Sequence, residues 1–408
     1  MNKCRNCDST LKLELIDLDF SPPSNAYLSP EDLNKVEIWV PLKVFVCERC
    51  WLVQTLDFHG ESDVFTQDYA YFSSTSKSWV DHARIFVEQI VSELELGRDS
   101  FVIEVASNDG YLLQHFKQRG IPHLGIEPTE STAQAAISRG IETVIKFLNL
   151  ELARKVISTY KKADLIVGNN VFAHVPDIRG FADSLSLMLS DNGTLVLEFP
   201  HLLKLLQENS FDTIYHEHFS YLSLHSCLDV LARSGLRIWR VEKLSTHGGS
   251  LRIYASHTER CPAVEESVNK LLQTETEFGL TSTFAYSKLA SAAQNLRDEV
   301  LEYLISCRKR NLKVAAYGAA AKGNTLLNYI GVKTNLIQMV CDSAPSKQGK
   351  FLPGSHIPIV NMENFKKYDP DIVIILPWNL TSEILNLVRQ NLGTRATIVR
   401  FSPTFQQL

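Results

Sequence analysis

Apolar positions repeat with two different periods along this chain, and the period marks out its parts. Between residues 101 and 255, short apolar runs alternate with helix-like stretches: 101–105 (FVIEV), 123–126 (HLGI), 164–168 (DLIVG), 194–199 (TLVLEF), 236–241 (LRIWRV) and 249–255 (GSLRIYA). Such alternation predicts a mostly parallel sheet wrapped by helices. From 263 to about 311 there is neither proline nor strand pattern. Apolar residues recur there at intervals of three and four, at Val268, Leu271 and Leu272, then at Leu289, Ala293, Leu296, Val300, Leu301 and Leu304, which predicts one or two long helices. A second, smaller alternation runs from Lys313: VAAYG, a helix from about 320 to 330, LIQMVCD, DIVIIL, a helix over 382–392, and ATIVRF. Before about residue 68 there are only strand fragments, interrupted at Ser21-Pro22-Pro23-Ser24-Asn25 and Ser29-Pro30-Glu31-Asp32, so this segment cannot bury much core of its own. The chain therefore reads as α/β, with a small N-terminal part (1–68), a central Rossmann-like domain (69–262), a helical connector (263–311) and a smaller C-terminal Rossmann-like α/β domain (312–408).

Composition narrows the class. With 45% hydrophobic and 9% aromatic residues, 408 residues can build full cores, so disorder is excluded for most of the chain. A formal charge of -5, with no block of like charges, argues against a nucleic-acid partner. No apolar run approaches the ~20 residues of a bilayer span, and the first fifteen residues form no signal core, so a soluble, cytoplasmic chain without a membrane partner is expected.

Eight cysteines are too few for a disulfide scaffold of this size, and half of them form two pairs, Cys4-Arg5-Asn6-Cys7 and Cys47-Glu48-Arg49-Cys50. Each CxxC knuckle can aim two thiolates at one point, and two knuckles flanking a core-poor segment predict a tetrahedral, structural zinc. A vestigial site or an iron-sulfur cluster is the alternative. Four protein ligands leave no open position for substrate, so the metal scaffolds.

In the central part, Val102-Ile103-Glu104-Val105-Ala106-Ser107-Asn108-Asp109-Gly110 is an apolar strand followed by a small-residue turn opening a helix (YLLQHF), where backbone amides can approach a ligand. The next strand ends at Glu127, placed to accept both hydroxyls of a ribose. The turn lacks GxGxxG, which counts against a dinucleotide pyrophosphate; S-adenosylmethionine has no phosphate and needs no such cradle. An ordinary strand-turn-helix with a surface Glu127 is the competing interpretation. Candidate cofactor contacts are Glu104, Asn108, Asp109, Gly110, Glu127, Asn149, Asn169 and Asn170, the last two at a further carboxyl-end turn. His174 either faces the same crevice or packs beneath it.

Tyr215-His216-Glu217-His218-Phe219-Ser220-Tyr221 concentrates titratable groups. HEH lacks the i, i+4 spacing of HExxH zinc hydrolases, so a general base and a polar turn remain as readings. His247-Gly248-Gly249-Ser250-Leu251-Arg252 permits close backbone approach and offers Arg252 to an anion, or is a plain β-turn. Tyr317-Gly318-Ala319-Ala320-Ala321-Lys322-Gly323-Asn324-Thr325 joins a strand to a helix and can present amides and a lysine to a diphosphate, though it is not a Walker loop; tight packing of small residues is the alternative.

The order of these motifs resembles the three-domain sugar C-3' methyltransferases, which act on nucleotide-linked 4-keto-deoxysugars. The resemblance spans nearly the whole chain. It rests on the paired CxxC, YAYFSSTSKSW (69–79), EVASNDGYLL, GIEPT (125–129), NNVFAHVPD (169–177), YHEHFSY, HGGSLR, YGAAAKGNTLLN (317–328), DSAPSKQGKFLPGSHIPI (342–359) and LPWN (376–379). It implies a zinc-binding domain, a class I methyltransferase domain binding S-adenosylmethionine, and a C-terminal domain that helps enclose the sugar nucleotide. It implies His218 as the base that makes an enolate at C-3', Glu217 orienting it or holding the sugar, and Tyr215, Tyr69 and Tyr71 near the enolate oxygen. His174, His247, Gly249, Arg252, Lys322 and Asn324 are the candidate substrate contacts. Ala106 departs from the family's commoner Gly, and its small side chain is expected to leave cofactor binding intact. Methylation of oxygen or nitrogen on a sugar nucleotide or small metabolite is the nearest alternative. A non-catalytic zinc protein would need a basic face, and an NAD-dependent reductase is disfavoured by the single-glycine turn.

Overall fold

A computed structural model describes residues 2–56 and 72–408. Tyr69 and Tyr71 lie outside the described residues. Among those described, the strands fall into three sheets. The first contains β1 (Leu13–Ser21), β2 (Val40–Val46), β3 (Val53–Thr55) and β9 (Ser220–Tyr221), antiparallel in the order β1-β2-β3-β9. Its last strand comes from the centre of the chain, immediately after the HEH motif.

The second sheet holds β4 (Val102–Val105), β5 (His123–Ile126), β6 (Thr143–Val144), β7 (Ala163–Asn169), β8 (Leu189–Pro200), β10 (Leu236–Leu244) and β11 (Ser250–His257). Its order is β10-β11-β8-β7-β4-β5-β6, parallel from β8 to β6 and closed by an antiparallel hairpin. Continuous apolar runs such as VIEV and DLIVG suit strands buried on both faces. The chain runs outward from β4 first through β5 and then through β7, so a crevice opens at the carboxyl ends of these strands.

The third sheet holds β12 (Val314–Tyr317), β13 (Val340–Cys341), β14 (Ile359–Val360), β15 (Ile372–Ile375), β16 (Thr397–Arg400) and β17 (Gln406–Gln407), in the order β14-β13-β12-β15-β16-β17, with only β17 antiparallel. The connector forms two helices, Glu266–Phe278 and Leu289–Lys309. The first stops at Gly279, whose φ of 94° no side-chain-bearing residue adopts without strain.

The N-terminal part solves its shortage of core by lending both faces to its neighbours. Leu15, Leu18, Val44 and Val46 of its sheet pack in one buried cluster with Leu289, Val300 and Leu304 of the connector and Leu326 and Leu327 of the C-terminal domain. The cysteine knuckles, with Leu11 and Leu52, instead join the core that contains Leu222, Leu224 and Cys227. Each fully buried Leu or Val contributes roughly 1.5–3 kcal/mol, so these shared interfaces bind the three parts together. No helix among the described residues is long and apolar enough to cross a membrane.

Candidate active site

The crevice opens into a cavity of about 430 Å³ whose walls come from the N-terminal, central and C-terminal parts of the chain. The turn after β4 places Ala106, Asn108 and Gly110 at φ values of 56°, 50° and 78°, so the backbone coils tightly beneath the cavity. Glu127 accepts from the amides of Asn108 and Thr129, both at 2.9 Å, tying this turn to the end of β5. Burial pushes the Glu127 carboxyl up, and those two amides oppose the shift. Asp109 accepts from the amide (3.3 Å) and hydroxyl of Ser74 and pairs with Arg139 at 3.4 Å, which docks the segment after residue 71 onto the turn. Beneath lies Glu104, fully buried. Burial, then the charges of Glu127 and Asp109, push its carboxyl well above the ordinary range. Of the three buried acids that converge on this turn, Asp109 is paired with Arg139, while Glu104 and Glu127 form no ion pair among the described residues, a setting that suits a cationic sulfonium amino acid. Bound there, S-adenosylmethionine supplies an electrophilic methyl group.

The backbone at Ala106 suits the glycine that the family resemblance implies at this position. An alanine at φ 56° sits in the left-handed region, which costs roughly 1–2 kcal/mol. Ala106→Gly is therefore expected to stabilise the protein by about 1 kcal/mol, with cofactor affinity unchanged. Chemical denaturation and calorimetric titration with S-adenosylmethionine check this; a less stable variant would contradict the strain.

Across the cavity stands the HEH segment. His218 Nδ1 lies 2.9 Å from the Thr213 carbonyl, which holds the proton on Nδ1 and leaves Nε2 as the basic nitrogen. The Tyr215 ring lies 3.9 Å from the His218 ring, centroid to centroid, and the His174 ring meets it edge-on at 4.7 Å. Burial pushes His174 down to about 4, so it stays neutral beside its neighbour at pH 7. Glu217, 2% exposed, receives Asn25 Nδ2 at 2.8 and 2.6 Å from its two oxygens.

The far end of the cavity is basic. Lys322 lies 4.4 Å over the Trp378 ring and 3.3 Å from Asn379 Oδ1, and Lys347 donates to the Ala319 carbonyl at 2.8 Å. Burial pushes both lysines down, with Asp212 opposing at Lys322 and Asp342 at Lys347. Trp378 Nε1 also donates to the buried Asp212 at 2.7 Å, next in sequence to Thr213, so the LPWN motif braces the turn that orients His218. Gly248 sits at φ 91° against that indole, where a Cβ would overlap the ring.

Of the residues singled out in the sequence, Asn108, Glu127, Asn169, Asn170, His174, Tyr215, Glu217, His218 and Lys322 line the cavity. Others stand elsewhere. Asn149 caps the helix Leu150–Thr159 by accepting from the Leu152 amide at 2.9 Å. Arg252 is buried, donates to Glu198 at 2.8 Å and lies over the Phe86 ring. Asn324 donates to the Ser24 carbonyl at 2.6 Å, His247 falls in the turn Thr246–Gly248, and Gly249 packs against Lys204. Glu104, Asp109 and Gly110 underpin the wall without forming it. The cavity also takes in Asn25, Trp79, Lys146 and Lys347, which the sequence reading did not single out. Trp79 had a local signal: it follows the cap Ser76, which accepts from its amide at 3.3 Å.

Cys4, Cys7, Cys47 and Cys50 bring their sulfurs within 4.8 Å of one another, with Cys4–Cys50 at 3.5 Å and Cys7–Cys47 at 3.4 Å. Tetrahedral zinc with bonds of about 2.3 Å calls for sulfurs about 3.8 Å apart, so the cage fits. Gln54 Nε2 donates to Cys4 Sγ at 3.2 Å and its oxygen takes the Arg5 amide at 2.9 Å, an outer layer that favours the thiolate.

Three known domain families match the chain. Residues 4–65 match a zinc binding domain family, 80–241 a methyltransferase domain family and 245–402 the C-methyltransferase C-terminal domain family. The chain is 34% identical to the C-methyltransferase NovU of Streptomyces niveus over 386 residues, which is 95% of this chain and 92% of that one. Among solved structures, the magnesium protoporphyrin IX methyltransferase of Synechocystis with bound SAM aligns over 44% of this chain and 82% of its own, at 17% identity and a TM-score of 0.33. A Haloferax volcanii methyltransferase in complex with its Trm112 activator gives 12% identity, 49% and 99% coverage and a TM-score of 0.37. The extent of the match to NovU, carried through all three parts, places the chain in the zinc-binding C-methyltransferase family as an S-adenosylmethionine-dependent enzyme.

Proposed function

We propose that the methyl acceptor is C-3' of a nucleotide-linked 4-keto-deoxysugar and that His218 is the base. The observation that carries this reading is the Thr213 carbonyl on His218 Nδ1, which leaves Nε2 basic in a cavity shared with the acid-lined cofactor turn and the two lysines. A hydrogen on C-3' lies beside the C-4' ketone. Nε2 would take that proton as the electron pair moves onto the C-4' oxygen; C-3' would then bond the methyl group in line while the ketone re-forms and the sulfur–methyl bond breaks, its pair staying on the departing thioether sulfur. Tyr215 can hydrogen-bond the enolate oxygen, Glu217 helps hold the sugar, and Lys322 with Lys347 suits the diphosphate. On this reading residues 1–68 form the zinc domain, 69–262 the catalytic domain, 263–311 the connector and 312–408 the domain that closes over the nucleotide.

NMR in D2O with a nucleotide-linked 4-keto-6-deoxysugar tests the proposal. Exchange at C-3' or a C-methyl product is expected, and both should vanish in the His218→Asn variant. If neither appears with several nucleotide carriers while the cofactor binds, a different acceptor, at carbon, oxygen or nitrogen, takes its place.

A further inference from the structure

We infer that Asn25, carried by the zinc-bearing part, is a positioning residue that aims the Glu217 carboxylate at the acceptor; the inference rests on the role given to Glu217 above. The chain leaves β1 at Ser21 through Pro22-Pro23, which have fixed φ and no amide donors, and so runs as a strap instead of continuing a sheet. The strap is clamped on both sides of Asn25. The Ser24 carbonyl accepts from Asn324 Nδ2 at 2.6 Å, and Ser24 Oγ lies 3.3 Å from Thr325 Oγ1. Tyr27 Oη donates to the Ala319 carbonyl at 2.6 Å, and Leu28 pairs with Phe351 through backbone bonds of 3.0 and 2.8 Å. With its neighbours held, Asn25 meets Glu217 with one amide nitrogen spanning both carboxylate oxygens.

That geometry has a chemical point. A carboxylate that is 2% exposed needs donors. A lysine or arginine would supply them but would neutralise the acid and draw it away from a substrate hydroxyl. A neutral amide fixes the carboxylate's orientation without neutralising its charge. The strap also reaches the basic end: the Ala319 carbonyl that takes Tyr27 Oη takes Lys347 Nζ as well, and Lys347 lies 5.2 Å over the Tyr27 ring. One five-residue stretch thus holds both Glu217 and Lys347, two residues that line the cavity.

The test is a double-mutant cycle in the full-length, zinc-loaded protein, with initial rates on the sugar nucleotide. Asn25→Ala is expected to lower kcat/KM for the sugar ~10-fold or more, the scale of one hydrogen bond to a charged group, with KM for S-adenosylmethionine unchanged. In the Glu217→Gln background the same change should cost nothing further, because its effect passes through Glu217. Asn25→Asp keeps the size of the side chain but faces a carboxylate with a carboxylate, so it should be at least as slow. A wild-type rate in Asn25→Ala, full activity in Asn25→Asp, or a loss that multiplies with Glu217→Gln would each overturn the inference. Full activity in Glu217→Gln alone would remove the role of Glu217 itself, and the inference with it.

Discussion

His218→Asn is expected to lower methyl transfer by ~100-fold or more, the scale of one acid/base group, while zinc content and S-adenosylmethionine affinity stay near wild type. Asparagine can still donate to the Thr213 carbonyl that His218 Nδ1 faces at 2.9 Å, so the turn keeps its shape and only the basic nitrogen is lost. The cofactor end is spared because it is built from separate parts, Glu127 and the turn after β4. Single-turnover methyl transfer and calorimetric titration of the cofactor separate the two effects. A variant with full turnover would sink the assignment of the base. A variant with weakened cofactor binding and an unchanged chemical step would show that the ring only lines the pocket.

Removing the zinc is expected to cost as much, although every ligand lies more than 160 residues from His218 in sequence, because the mechanical path is short. Structural zinc contributes about 10–16 kcal/mol in small zinc-binding peptides, and the N-terminal part has no core of its own to replace it. Its last strand is β9, which begins two residues after His218. Thr55 of β3 donates its amide to the Phe219 carbonyl at 3.1 Å and its hydroxyl to the His218 carbonyl at 3.3 Å. Loosening that sheet would free the backbone of His218, the proposed base, and displacing a catalytic group by about 1 Å can cost 10²-fold. Cys47→Ser should therefore give well under one zinc per chain and ~1% or less of the wild-type rate, with faster amide exchange in residues 40–56 and 218–222. Metal analysis, kinetics and hydrogen exchange read these together. A zinc-free protein with normal turnover would detach the metal from the active site.

Much of this architecture was legible because it is written locally. The CxxC knuckles place two thiolates three positions apart, so each half of the metal site is visible without knowing the fold. The apolar runs VIEV, HLGI and DLIVG became β4, β5 and β7, and the turn after β4 lies at the crevice that such strand order creates. The apolar spacing of the connector predicted one or two long helices; the structure has two, the first ending at Gly279.

The candidate contacts were legible unevenly, for a definite reason. A side chain's type is local, but its partner is not. Arg252 was chosen for an anion because it follows a glycine turn; pairing of β11 with β8 sets it opposite Glu198, which holds its guanidinium inside the protein. Asn149 follows a strand as a cofactor ligand might, yet the same position starts a helix, whose free amides it caps. Lys347 was hidden in a long motif until the sheet β14-β13-β12 brought it over Tyr27.

Read by itself, then, the amino-acid sequence determined the three-part α/β plan, the tetrathiolate metal site, the cofactor turn and the HEH cluster, since each depends on periodicities and spacings within a few residues. Only the tertiary structure decided how these parts share one cavity. The strand that joins the zinc sheet to His218, the indole that braces Asp212 and the amide that meets Glu217 all link residues more than 150 positions apart. Such contacts are set by how apolar faces of separate parts bury one another, and no local pattern encodes which faces will meet.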